Sequence, residues 1–177
     1  MAALVREVEL HLLDSRHVQH PAADARELVA AVLEVPRSWP VLHASAPAGD
    51  ELRAAVMAAA GRLAAGAPMQ YAVGRAAFRN LVLDVDPRVL IPRPETELLV
   101  ELVLDADGDR PGGTVVDVGT GSGAIAISLA TEGRYDRIIA IDVSQDALAV
   151  ASGAAIAFIV GRGYSDPANP ASVLNRL

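Results

Sequence analysis

The 177-residue sequence predicts an α/β protein with three parts. A helical bundle comes first, then a β-hairpin linker, then the opening part of a Rossmann-like, doubly wound parallel sheet. Three observations predict this. Apolar residues recur every four positions up to about residue 67, the period drops to two around Arg79-Asn80, and from Thr114 onward strand, glycine turn, helix, strand and helix alternate. The expected boundaries are 1–67 for the bundle, 68–92 for the linker and 93–177 for the parallel-sheet domain.

In the bundle, Leu4, Val8 and Leu12 form one stripe, Ala25, Val29 and Leu33 a second, and Leu52, Val56 and Ala60 a third. Pro21, Pro36, Pro40 and Pro47 separate these runs, and Asp50 reads as a helix N-cap. Tyr71 to Val89 then carries two short alternating segments, with Leu81, Leu83 and Val85 at period two, which predicts a hairpin. Glu95-Thr96-Glu97 opens an amphipathic helix through Leu98, Leu99, Leu102 and Val103, and Asp105 to Gly113 reads as a loop. Strands are expected at Thr114–Val118 and Arg137–Val143, helices at Ala124–Thr131 and Ser144–Ala151, and a further strand at Ala155–Val160.

Composition removes several functions. The net charge is −7, which argues against direct nucleic-acid binding through a basic face. The absence of cysteine excludes disulfides, thiolate zinc sites and cysteine nucleophiles. His17 and His20 have no third ligand nearby, and Asp105, Asp107 and Asp109 start a calcium-like run that has Arg110 where glycine is needed, so no metal site is expected. The longest uncharged stretch, Ala147 to Gly161, is shorter than the roughly 18 residues of a membrane span, and a cytoplasmic protein without membrane contact is the expectation.

The chemistry gathers at one turn. Val115-Val116-Asp117-Val118 runs into Gly119-Thr120-Gly121-Ser122-Gly123, and an apolar helix begins at once. Glycines there allow a sharp turn and bring backbone N–H groups and a helix N-terminus close to a ligand. The next strand ends in Asp142, about 20 residues on, where a carboxylate can accept hydrogen bonds from both hydroxyls of a ribose. Gly119, Thr120, Gly121, Ser122, Gly123 and Asp142 are therefore the expected nucleoside-binding residues, while Asp117 reads as structural. Gly119-x-Gly121-x-x-Ala124 also fits a dinucleotide pattern, so spacing leaves NAD and S-adenosylmethionine both open.

The flanking residues carry a resemblance. Pro68-Met69-Gln70-Tyr71, Gly74, Phe78, the block Leu90-Ile91-Pro92-Arg93-Pro94-Glu95-Thr96-Glu97, Asp117 to Ile125, and Ile141-Asp142-Val143-Ser144 together resemble the release-factor glutamine methyltransferases. The proline-rich block is specific to that family, whereas the glycine motif is shared by all class I methyltransferases. The resemblance is firm over about 68–151, and over the N-terminal helices it is one of layout. It implies a class I methyltransferase domain with S-adenosylmethionine as cofactor, held by Gly119 to Gly123 and Asp142, with Arg93 and Glu95 near its pocket. It also implies a class I peptide chain release factor as protein substrate, engaged by the helical bundle and methylated on the glutamine amide nitrogen of its Gly-Gly-Gln motif.

The family's Asn-Pro-Pro-Tyr motif, which grips that amide, does not occur in the 177 residues. Asn169-Pro170 runs into Ala171-Ser172 and reads as a turn, so no catalytic residue is assigned. The residues after Asp142 are too few for the family's remaining strands, at about 5–6 residues each plus a crossover helix. Charge also thins after Ala151, and a truncation or reading-frame change near that residue is the expectation. Two other readings stay open: a non-catalytic module that binds release factors, and a nucleotide-dependent oxidoreductase. An unfinished parallel sheet further predicts self-association through its open edge.

Overall fold

The structure, a computed structural model, describes residues 1–108 and 111–162. The chain divides into two compact units between Val73 and Gly74.

The first unit holds helices α1 (Ala2–Leu13), α2 (Pro21–Leu33), α3 (Trp39–Leu42), α4 (Asp50–Ala64) and α5 (Met69–Val73). Its core takes Leu4, Val8 and Leu12 from α1, Ala25 and Val29 from α2 and Val56 and Ala60 from α4 as predicted, and adds Leu28 and Ala59, while the predicted Leu33 and Leu52 are only partly buried beside it. Each buried Leu or Val stabilises the unit by about 1.5–3 kcal/mol relative to exposure, and the alanines let the helices approach closely. Gly49, not Asp50, is the N-cap of α4; Asp50 and Glu51 instead fill the first turn, where their charge complements the helix dipole. The N-terminal ammonium donates to the Ala46 carbonyl and the Ala2 N–H to the Ala44 carbonyl at 2.8 Å, which ties the start of α1 down.

The second unit opens with the hairpin of β1 (Arg75–Phe78) and β2 (Leu81–Asp84), antiparallel with Phe78 opposite Leu81, so the turn is Arg79-Asn80 as predicted. Tyr71 to Val73, expected in the hairpin, lies in α5, because Met69-Gln70-Tyr71-Ala72-Val73 closes one more helical turn, with the Ala72 N–H donating to the Pro68 carbonyl at 2.8 Å. Ala76, Phe78, Leu81 and Leu83 line the buried face of the hairpin. Phe78, Leu81 and Leu83 join the core of this unit, so the hairpin is a packed element and not only a connection.

Helix α6 (Pro94–Asp107) starts at the proline-rich block and extends further than expected, taking in Asp105 to Asp107. Its buried residue is Val100, with Val103 and Leu104 packed beside it, while Leu98, Leu99 and Leu102 are exposed. Apolar residues surround this helix, so periodicity alone does not choose the face, and Val100, Val103 and Leu104 satisfy the i, i+3, i+4 rule equally well. Strand β3 (Thr114–Val118), helix α7 (Ala124–Glu132), strand β4 (Arg137–Ile141) and helix α8 (Gln145–Arg162) complete the unit. β3 and β4 pair in parallel, Val116 opposite Ile139, and among the described residues they form a two-stranded, incomplete sheet.

β4 stops at Ile141, earlier than the predicted Val143, because the Asp142 side chain turns the chain there. The strand expected at Ala155–Val160 is instead helical backbone within α8. Its alanines are the strongest helix formers and, coming after a helix already nucleated at Gln145, they extend it. Asn169-Pro170 lies outside the described residues.

Candidate functional site

Strands β3 and β4 end at the same edge of the sheet, and the loops that leave their carboxyl ends touch. After β3 the chain turns through Gly119, Gly121 and Gly123, with φ of 81°, 55° and 81°. Such left-handed backbone strains any residue with a Cβ, which is why glycines stand there. The N–H groups of Gly119 and Thr120 both donate to the Ile141 carbonyl, at 2.7 and 3.0 Å, and fasten the turn to the end of β4. The Gly123 N–H returns to the Thr120 carbonyl at 2.8 Å. A Cβ on Gly123 would stand 3.2 Å from the side chains of Ala151 and Ile127, so α7 begins in close contact with α8.

Asp142 reaches into this turn. Its Oδ2 accepts the Gly121 N–H at 2.9 Å, and its Oδ1 accepts the Ser144 N–H at 2.9 Å. These bonds, that from Ser144 first and that from Gly121 second, hold the Asp142 carboxyl below the usual range against the opposing effect of burial. The cap of α8 is a different residue: the Ser144 hydroxyl accepts the Ala147 N–H at 3.2 Å. Asp117 is buried, and its Oδ2 accepts the Thr120 hydroxyl at 2.7 Å, which locks the turn from beneath.

The sequence-predicted residues Gly119, Thr120, Gly121, Ser122, Gly123 and Asp142 therefore stand together at the carboxyl ends of two parallel strands. That is the position where open α/β sheets bind ligands. Thr120 and Ser122 are buried, and Thr120 spends its N–H on the Ile141 carbonyl of β4 and its hydroxyl on Asp117 of β3, anchoring the turn to both strands. Arg93 and Glu95 are exposed at the start of α6, and among the described residues neither makes an ion pair with the other or a hydrogen bond to the glycine turn.

Sequence reasoning missed Arg79. Its guanidinium makes a two-pronged ion pair with Glu132, Nε at 2.8 Å and Nη2 at 2.7 Å, and its Nη1 donates to the Glu97 carbonyl at 3.0 Å. The only local signal was an arginine at a hairpin turn, where its φ is +50° and Gly, Asn or Asp is the usual occupant. Among the described residues no helix is long and apolar enough to cross a membrane.

Comparison with known proteins identifies what the chain resembles. Residues 6–74 match a family profile described as the PrmC N-terminal domain, and residues 94–158 match the methyltransferase small domain. The second match continues past residue 151, as α8 does. A release factor glutamine methyltransferase of Burkholderia pseudomallei is 45% identical over 130 residues, covering 73% of this chain and 46% of that protein. One from Bordetella pertussis is 43% identical over 133 residues, covering 75% and 49%. One from Lactococcus lactis is 53% identical over 91 residues, covering 51% and 33%. The chain spans about half the length of the first two of these relatives, or less. With both domain profiles in succession and relatives of a single name, the chain belongs to the release factor glutamine methyltransferase family.

Proposed function

We propose that this chain forms the cofactor-binding side of an S-adenosylmethionine-dependent protein-glutamine methyltransferase whose substrate is a class I peptide chain release factor in the cytoplasm. The observation that carries the reading is the Asp142–Gly121 hydrogen bond, which joins an ionised carboxylate to a glycine turn at the ends of parallel strands. The donor set fits the cofactor. A carboxylate offers about four acceptor positions, so Asp142 can hold the Gly121 and Ser144 N–H groups and still accept from a ribose hydroxyl. A Cβ on Gly119 or Gly121 would meet nothing within 4 Å, which leaves room beside the turn, and the first N–H groups of a helix such as α7 suit the remainder of the ligand.

When bound, S-adenosylmethionine supplies an electrophilic sulfonium methyl group. The chain's residues orient it: Asp142 fixes the ribose, Asp117 and Thr120 keep the turn rigid, and Gly119, Gly121 and Gly123 allow close approach. An amide nitrogen is a weak nucleophile because its lone pair is delocalised, so the reaction depends on alignment more than on acid–base chemistry. The helices of the first unit are the surface assigned to the release factor, and no nucleic-acid contact is assigned.

Titration calorimetry with S-adenosylhomocysteine tests the donor side. The chain is expected to bind it, and Asp142→Asn to bind about 10- to 100-fold more weakly, the usual cost of a hydrogen bond to a charged group. NADH fluorescence enhancement without S-adenosylhomocysteine binding supports an oxidoreductase instead. Radiolabelled methyl incorporation into a class I release factor supports the full activity; binding of the factor without incorporation supports a recognition module.

A further inference from the structure

We propose that Arg79 is a positioning residue for the glycine turn, bracing the far end of α7 against the start of α6 and so setting where the turn at the near end lies. This rests on the reading of that turn as the cofactor site. Arg79 uses all its principal donors: Nε and Nη2 on the two oxygens of Glu132, Nη1 on the Glu97 carbonyl, and its backbone N–H on Glu97 Oε1 at 3.0 Å. The Arg79 and Glu132 side chains are only 18% and 19% exposed, so this pair differs from the solvated ion pairs that contribute little. Glu101 adds a third carboxylate facing the same cation. Without the guanidinium, Glu97 and Glu101 of α6 would confront Glu132 of α7 unneutralised.

Two further facts make the brace relevant to the turn. Helix α7 has nine residues, a rod of about 13.5 Å, with Glu132 at one end and Gly123 capping the other. The Gly123 end is closely packed, because Ala151 of α8 stands 3.2 Å from where a Cβ would be. A movement at Glu132 is therefore passed to the turn and not absorbed along the helix. Moreover, the two-residue hairpin turn needs left-handed backbone at position 79 and carries an arginine there, a strain that glycine would avoid.

That strain provides the test. Arg79→Gly relieves the backbone and deletes the brace, so a residue serving only the turn would be replaced without loss. Affinity for S-adenosylhomocysteine is measured by calorimetry well below the melting temperature, with the melting temperature recorded for each variant. Arg79→Gly is expected to bind about five- to tenfold more weakly than wild type. Adding Glu132→Gln to it should recover part of that loss, and Arg79→Lys should fall between. Should Arg79→Gly fail to fold, Glu132→Gln alone carries the comparison, with weaker binding expected. Unchanged affinity in the folded variant overturns this inference while leaving the cofactor site standing. A wild-type chain that binds no S-adenosylhomocysteine overturns the cofactor reading and this inference with it.

Discussion

Asp142 spends both carboxylate oxygens on the backbone, Gly121 on one side and Ser144 on the other, and remains ionised as a result. Its carboxyl sits below the unfolded value of about 3.9, so its stabilisation is present above that value and is lost as pH falls through the folded one. Asp142→Asn should therefore flatten the acid limb of the stability profile below about pH 4, measured by denaturant melts across pH. Gly123→Ala should cost about 1–3 kcal/mol in the same melts, since it strains a φ of 81° and presses a methyl group onto Ala151 and Ile127. The glycines and Asp142 were legible in the sequence because left-handed backbone demands glycine and a strand end exposes its acid. Arg79 was not, because Glu97 and Glu132 lie far along the chain and no periodicity links them to it.

Among the elements, the hairpin and β3 were legible from period two and from the glycines that stop β3. The faces of α6 were not, because Leu98-Leu99-Val100 and Leu102-Val103-Leu104 put apolar residues on every side, and only packing against Phe78 and its neighbours selects Val100. Val100→Ala should accordingly cost about 2 kcal/mol. Leu102→Gln, at a position that is 57% exposed, should stay within about 0.5 kcal/mol of wild type in chemical denaturation. The proposed strand at Ala155–Val160 failed for a related reason: a short apolar run fits strand and helix alike, and continuity with α8 decides it.

At the scale of the molecule, the two units have separate cores. The first unit buries most of the stripes read from its sequence, with Leu33 and Leu52 partly buried, so a fragment ending at Val73 is expected to keep helical circular dichroism and melt cooperatively. In the second, β3 pairs on one side only among the described residues, and Val116 and Val118 are 49% and 78% exposed. An apolar edge of this kind pairs with other chains, so light scattering of the full chain should report self-association, reduced by Val118→Lys. The central claim is that the glycine turn and Asp142 form a nucleoside site, and calorimetric titration of the full chain with S-adenosylhomocysteine tests it most directly. One-to-one binding that weakens at least about tenfold in Asp142→Asn is the predicted result. No binding by the wild-type chain, or equal binding by the variant, would contradict it.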